Sequence, residues 1–172
     1  MTRYPKEMAA LTPSLYELAE RVGQALLARH WCLALAESCT GGWIAKAITD
    51  VPGSSDWFER GFITYSNVAK VELLGVPETV LAVAGAVSEE TATAMAAGAL
   101  AHSRAEVAVA VSGVAGPTGG SLAKPVGTVW LAWAVKGQAA RSRCYTFGGD
   151  REAVRYQAVH AALEGLLENL NA

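Results

Sequence analysis

Strand-type and helix-type stretches take turns along this chain from about residue 14 to residue 170. Residues 32–36, 58–65, 106–112 (EVAVAVS), 128–135 (TVWLAWAV) and 141–147 (RSRCYTF) read as strands. Between them lie segments with helix start and stop signals. Ser14-Leu-Tyr-Glu17 has capping-box spacing, and Leu15, Leu18, Val22, Ala25 and Leu26 form one apolar stripe, predicting a helix over about 14–29. Gly41 and Gly42 open a short helix carrying Trp43, Ile44, Ala47 and Ile48, which ends before VPGSS (51–55). Ser66 caps a helix through Lys70 to Leu74 that Gly75 stops, and Pro77 starts another closing near Gly85. Ser88-Glu-Glu opens an alanine-rich helix to about 102, its acids favoured at the positive end of the helix dipole, and Asp150 caps a last helix to about Leu170. Such interleaving predicts a layered α/β architecture. The last two strands are too close in sequence for a crossover, so they pair antiparallel and the sheet is mixed.

At 172 residues the chain fits one domain, with no repeat, low-complexity tract or linker to divide it. Hydrophobic residues make up 52% and mean hydropathy is +0.24, values that favour a filled core over disorder. Much of this apolar content is alanine, which suits close helix–sheet packing. Trp130 and Trp133 fall on opposite faces of one strand, so at least one meets a helix layer or a subunit contact. An apolar sheet edge and alanine-rich helices are compatible with a homodimer.

Net charge is −2, and no basic run or lysine–aromatic patch offers a nucleic-acid surface. No apolar stretch approaches 18 residues and MTRYPKEMAA lacks a signal-peptide core, so no membrane partner and a cytoplasmic location are expected. Cys32, Cys39 and Cys144 are scattered and odd in number, against a disulfide framework. His30, His102 and His160 stand apart, without the spacing of metal ligands, and read as solvated or capping residues. No metal site is expected.

Three polar, glycine-bearing segments follow predicted strands: ESCTGG (37–42), SGVAGPTGGSLAKPVG (112–127) and FGGDR (147–151). Ligands of open α/β sheets sit beyond the carboxyl ends of strands, which makes the first two candidate site walls. The second is 16 residues with five glycines, and its amides could cradle a phosphate or an oxyanion; equally, it could simply close two strands as a surface loop. It fits neither the dinucleotide fingerprint nor the P-loop. Ser38 lies where a strand turns into a helix, the position of a strained nucleophile, although GxSxG is absent. Either it attacks, with the helix-start amides facing a developing oxyanion, or it and Thr40 merely cap the helix. Cys39 is the rival nucleophile, or a small packed residue.

A serine needs a base, and no histidine occupies a comparable segment. TYSNVAK (64–70) places Tyr65 at a strand end and Lys70 one turn into the next helix, where both could reach one crevice. At its ordinary pKa a lysine is neutral in only ~1 molecule in 2500 at pH 7, and lowering that value toward ~7 requires roughly 4–5 kcal/mol of desolvation or repulsion. The alternative for Lys70 is a solvated helix lysine.

Taken together, ESCTGGWIAKAITDVPGSSDWFERGFITYSNVAK, GAVSEET and VSGVAGPTGGSLAKPVGTV resemble the CinA C-terminal domain family over about residues 12–168. The resemblance implies a three-layer α/β/α sandwich with a mixed, mostly parallel sheet of about five strands. It implies hydrolysis of the carboxamide of nicotinamide mononucleotide (NMN) to nicotinic acid mononucleotide and ammonia, with no cofactor. Transferred onto this chain, it makes Ser38 the nucleophile, Tyr65 and Lys70 general-base partners and Arg151 a fourth catalytic residue. The substrate would then lie along Thr40, Gly41, Gly42, Ser112, Gly113, Gly116, Gly119 and Gly120, with Lys124 or Arg151 near its phosphate. The same resemblance admits a catalytically idle, pyridine-nucleotide-binding regulatory module.

Overall fold

Along the central strands large and small side chains alternate, and this alternation sorts the helices into two layers. The computed structural model describes residues 13–171; the N-terminal MTRYPKEMAA lies outside them. Five strands, β1 (Leu33–Glu37), β2 (Phe58–Ile63), β3 (Val107–Gly113), β4 (Thr128–Val135) and β5 (Arg141–Thr146), form one sheet in the order β2-β1-β3-β4-β5. β1 pairs parallel with both β2 and β3, whereas β4 runs antiparallel to β3 and to β5. Four strands therefore point one way and β4 alone points back.

On one face Leu33, Leu35, Val107, Val109, Val111, Leu131 and Trp133 meet three helices, α1 (Leu15–Leu27), α2 (Trp43–Thr49) and α6 (Arg151–Leu170). On the other, Ala34, Ala36, Ala108, Ala110, Ala132 and Ala134 meet α3 (Asn67–Leu74) and α5 (Glu89–Ala101), with α4 (Glu78–Ala84) against α5. The result is the three-layer sandwich. Alanine on the second face lets α5 lie close, and Gly98 extends the close approach to α3: a Cβ there would stand 2.1 Å from the Leu74 carbonyl oxygen. Trp133 fills the first face and donates its indole N–H to Ala162 O at 3.0 Å, while Trp130 packs toward the alanine face.

The expected starts hold in detail. Ser14 and Glu17 form a reciprocal capping box, and Ser66, Ser88 and Asp150 each accept an N–H of the first turn. α1 stops two residues earlier than the apolar stripe suggests, because Arg29 and His30 donate back to Leu26 and Leu27 and close a tighter final turn. A 3-10 turn at Ser54–Asp56, inside the loop read from VPGSS, carries the chain into β2. No helix among the described residues is long and apolar enough to cross a membrane. No described cluster of three His, Cys, Asp or Glu residues is placed to hold a metal ion.

The path of the chain fixes where a site can form. From β1 it crosses to β2 by way of α2 on one face, then returns past β1 to β3 by way of α3, α4 and α5 on the other. The strand order reverses at β1, whose neighbours β2 and β3 are reached over opposite faces, and such a switch point opens a crevice at the carboxyl ends of the strands. Here that crevice lies beyond Glu37 and Gly113.

Candidate active site

The ESCTGG segment folds around its first residue. Glu37 ends β1 fully buried, and its carboxylate accepts from Thr40 Oγ1 at 2.6 Å and from the amides of Gly42, Ile44 and Ala45 at 3.0, 3.2 and 2.8 Å. A carboxylate set against the free N–H groups of a helix start is favoured by hydrogen bonding and by the dipole alike. Gly42 occupies the N-cap with φ 96°, a left-handed conformation open to glycine without strain. Gly41 N donates to Ser38 O at 3.0 Å and Trp43 N to Thr40 O at 3.2 Å. The α2 amides expected to await an oxyanion are thus already engaged, because a buried acid next to the nucleophile position takes them.

Ser38 emerges between this turn and β3, with its N–H donating to Val111 O at 3.1 Å. Lys70 Nζ lies 3.1 Å from Ser38 Oγ and donates to Thr64 O at 2.7 Å. Lys70 is only 1% exposed and Ser38 8%. No carboxylate among the described residues pairs with the lysine. Burial desolvates its ammonium and pushes the pKa down; the opposing influence is Cys39, which would act only as a thiolate. Cys39 does not ionise near neutrality, since burial pushes its pKa up to about 12. Cys39 packs in the core beside β1 and also borders the site cavity, whereas the Ser38 hydroxyl faces the amine.

A cavity of about 220 Å³ covers the pair, with Ser38, Tyr65, Lys70, Ser112, Gly113 and Arg151 in its wall. Ser112 Oγ donates to Ala86 O at 2.7 Å and so ties the segment before α5 to the end of β3. Arg151 donates to Gly116 O at 2.8 Å and to the Tyr65 hydroxyl at 3.0 Å, bridging the mouth. Tyr65 is 61% exposed, and its hydroxyl accepts from Arg151, while Lys70 alone hydrogen-bonds Ser38 Oγ among the described residues.

Seven of the expected substrate contacts lie outside this wall. Thr40 is buried and turned to Glu37, while Gly41 and Gly42 lie within the turn around that carboxylate. Gly119 and Gly120 belong to the exposed part of the long loop. Gly116 meets the site only as the carbonyl partner of Arg151. Lys124 Nζ donates to Ala84 O at 2.7 Å, at the end of α4, and does not line the cavity.

The profile of the CinA C-terminal domain matches residues 15–170. The chain belongs to that family. It is 57% identical over 152 residues, 88% of its own length and 92% of the relative's, to the nicotinamide-nucleotide amidohydrolase PncC of Escherichia coli K12. It is 60% identical over 151 residues to the protein of that name from Pseudomonas putida, covering 88% and 94% of the two chains. Among solved structures, the competence/damage inducible protein CihA of Agrobacterium tumefaciens superposes with TM-score 0.89 at 43% identity over the full length of both chains. The competence damage-inducible protein A of Klebsiella pneumoniae has the same TM-score and identity over 92% of this chain and 98% of its own.

Within this CinA-family site several wall residues fall inside the family-like segments yet carry no expected role. Asn67, Ala86, Val87 and Ala115 complete the cavity wall with Cys39; Asn67, Ala86 and Val87 arrive by the crossover from β2 to β3, and Ala115 by the loop that follows β3. Asn67 stands three residues before Lys70 on α3, and that spacing alone places it on the lysine's face. Glu37 could have been found from its place at the end of an apolar strand, where a carboxylate has no reason to be unless helix-start amides await it.

Proposed function

We propose that this chain is a nicotinamide-nucleotide amidase that hydrolyses the carboxamide of NMN to nicotinic acid mononucleotide and ammonia. The observation that carries the reading is the 3.1 Å approach of a buried, carboxylate-free lysine amine to Ser38 Oγ at the crevice between β1 and β3. Identities of 57–60% to proteins named nicotinamide-nucleotide amidohydrolase support the choice of substrate.

In this reading Lys70 reacts as the neutral amine. One N–H stays with Thr64 O while the lone pair faces the Ser38 hydroxyl. Ser38 Oγ adds to the amide carbon as its proton passes to Lys70. Collapse of the tetrahedral adduct breaks the C–N bond, the lysine returns that proton to the departing nitrogen, and ammonia leaves. Water, deprotonated by the same amine, then cleaves the ester to the free acid and restores Ser38. For the oxyanion we assign the N–H of Ala115 in the cavity wall, because Val114 N is already given to Thr128 O and the α2 amides to Glu37. Removing such a donor typically raises the barrier by ~3–4 kcal/mol. Arg151, the cation of the cavity wall, meets the phosphate, and Tyr65 orients Arg151.

We further place the protein, as one domain, in the cytoplasm, in pyridine-nucleotide recycling and as a homodimer. The last is supported by exposed Val68, Leu73 and Val83 on α3 and α4. Ammonia release from NMN tests the central reading, with Ser38→Ala expected to abolish release while NMN still binds. Binding of NMN by the unaltered protein with no ammonia released would replace the amidase with a regulatory binding module.

A further inference from the structure

Arg155 takes no part in the chemistry above, yet its guanidinium is spent on the turn that carries Ser38. It lies on α6 one turn after Arg151, so both arginines address the site from one helix face. Its Nε donates to Cys39 O at 3.1 Å and its Nη2 to Thr40 O at 2.8 Å. The guanidinium carbon stands 5.2 Å from the centre of the Trp43 ring, which itself meets Tyr156 edge-on with centroids 6.1 Å apart. Among the described residues no carboxylate pairs with Arg155. A planar fork that reaches two successive carbonyls fixes the orientation of both peptide planes, which a single-point ammonium cannot do.

Glu37 does the converse from the opposite side of the same turn. Its carboxylate gathers three amides and one hydroxyl, while Arg155 gathers two carbonyls. The two charges do not pair with each other; each is saturated by backbone or hydroxyl groups of residues 39–45. Ser38 is therefore held upstream by Val111 O, by the Gly41 amide on its own carbonyl, and downstream by the two peptide planes in the arginine's grip.

We propose that Arg155 is a positioning residue for the nucleophile: by clamping the carbonyls of Cys39 and Thr40 it holds Ser38 Oγ at reacting distance from Lys70. This rests on the amidase reading for its rate assay but not for its second measurement. A misplacement of ~1 Å at a reacting atom is enough to slow turnover about 100-fold. The expectation for Arg155→Met is a kcat for ammonia release from NMN lowered roughly 30–100-fold, with KM within about twofold. Arg155→Lys, which keeps one donor and the charge, recovers part of that loss. The acid limb of the pH–rate profile keeps its midpoint in both variants, because the burial that lowers the Lys70 pKa does not involve Arg155. In parallel, covalent labelling of Ser38 by a fluorophosphonate, followed by intact mass, slows by the same factor. Should the unaltered protein label at Ser38 but release no ammonia, the substrate reading fails and labelling alone judges the clamp. A folded Arg155→Met with kcat and labelling within threefold of the unaltered protein overturns the proposal, as does a KM rise at unchanged kcat or a moved pH midpoint. If Arg155→Met does not fold, the same measurements on Arg155→Lys decide: unchanged kcat and labelling overturn it, and an intermediate loss supports it.

Discussion

Ser38 is anchored to Val111 across two parallel strands: its N–H donates to the Val111 carbonyl at 3.1 Å, one residue beyond the last β1–β3 pair, Glu37 with Val111. Ser38, the proposed nucleophile, is thus the first residue past the sheet on one side of the crevice, and Ser112 and Gly113 are its counterparts on β3. Lys70 reaches the same point from a helix packed on the alanine face. Three separate segments meet there because the chain reverses its direction of winding between β1 and β3.

The first consequence concerns pH. Lys70 has a folded-state pKa below its ordinary 10.5 because burial desolvates the ammonium. Between the folded pKa and 10.5 the unfolded chain binds more protons than the folded one, so this group makes stability rise with pH through that window. Turnover should rise across the folded pKa as the neutral amine forms. Lys70→Met removes both dependences. The difference in unfolding free energy, unaltered protein minus Lys70→Met, is expected to grow as pH rises toward 10.5 in urea titrations. Parallel curves all the way up to pH 10.5 would show a lysine that is not desolvated.

Thiol chemistry separates Cys39 from Ser38. Cys39 is buried in the core with its pKa pushed up to about 12, whereas Cys144 is exposed on β5. The thiolate is the reactive form, so iodoacetamide at pH 8 should alkylate Cys144 first and spare Cys39 until the protein unfolds. Peptide mass mapping reads the order. Full alkylation of Cys144 is expected to leave ammonia release unchanged, and Cys39→Ala to retain most of it with a loss of about 1 kcal/mol of stability. Rapid alkylation of Cys39 in parallel with loss of activity would restore the thiol as nucleophile.

Element types and the mixed sheet were legible because their signals are local. Ser14, Ser66, Ser88 and Asp150 announce helix starts, and alternating large and small residues in 106–112 and 128–135 leave little choice but strand. The meeting of Lys70 with Ser38 was legible only in part. Sequence places each beside a strand end, but their distance depends on β2 lying next to β1, which no local pattern states. The expected roles of Gly41 and Gly42 went astray for a related reason. A glycine-rich helix start looks like a vacant anion site, and only the fold reveals that Glu37, five residues before Gly42, bends back to fill it. Arg155 carries no local signal at all: it resembles any helix arginine until α6 is laid against the Ser38 turn.

Gly98 sets the depth at which α3 sits. A Cβ on this residue would stand 2.1 Å from Leu74 O and 2.9 Å from Leu74 Cβ, and a backbone oxygen cannot turn aside as a side chain can. Gly98→Ala should therefore push α3 away from α5, which lifts Lys70 along with it. Overpacking of this kind typically destabilises by ~1–3 kcal/mol. Guanidinium denaturation should show that loss, and the folded fraction should turn over more slowly because the amine no longer meets Ser38 at 3.1 Å. A variant as stable and as active as the unaltered protein would mean that the α3–α5 contact does not set the lysine's position.

If Arg151 meets the phosphate as proposed, it is the residue that should tell the nucleotide from its riboside. Both outer guanidinium nitrogens are engaged by neutral oxygens, Gly116 O and the Tyr65 hydroxyl, so its positive charge is held in place without being neutralised. A phosphate brought to the mouth meets that charge and can take the tyrosine's place on Nη2. A charge-assisted hydrogen bond of this type is worth ~1.5–3 kcal/mol, or roughly 10- to 150-fold in affinity. Arg151→Met should accordingly raise KM for NMN at least tenfold with little change in kcat, and leave kcat/KM for nicotinamide riboside within about threefold. Tyr65→Phe, which only frees the guanidinium, should shift KM for NMN by less than Arg151→Met does. Equal losses on nucleotide and riboside in Arg151→Met would instead make Arg151 a support of the 113–116 segment, through its bond to Gly116, and would leave phosphate recognition to another residue.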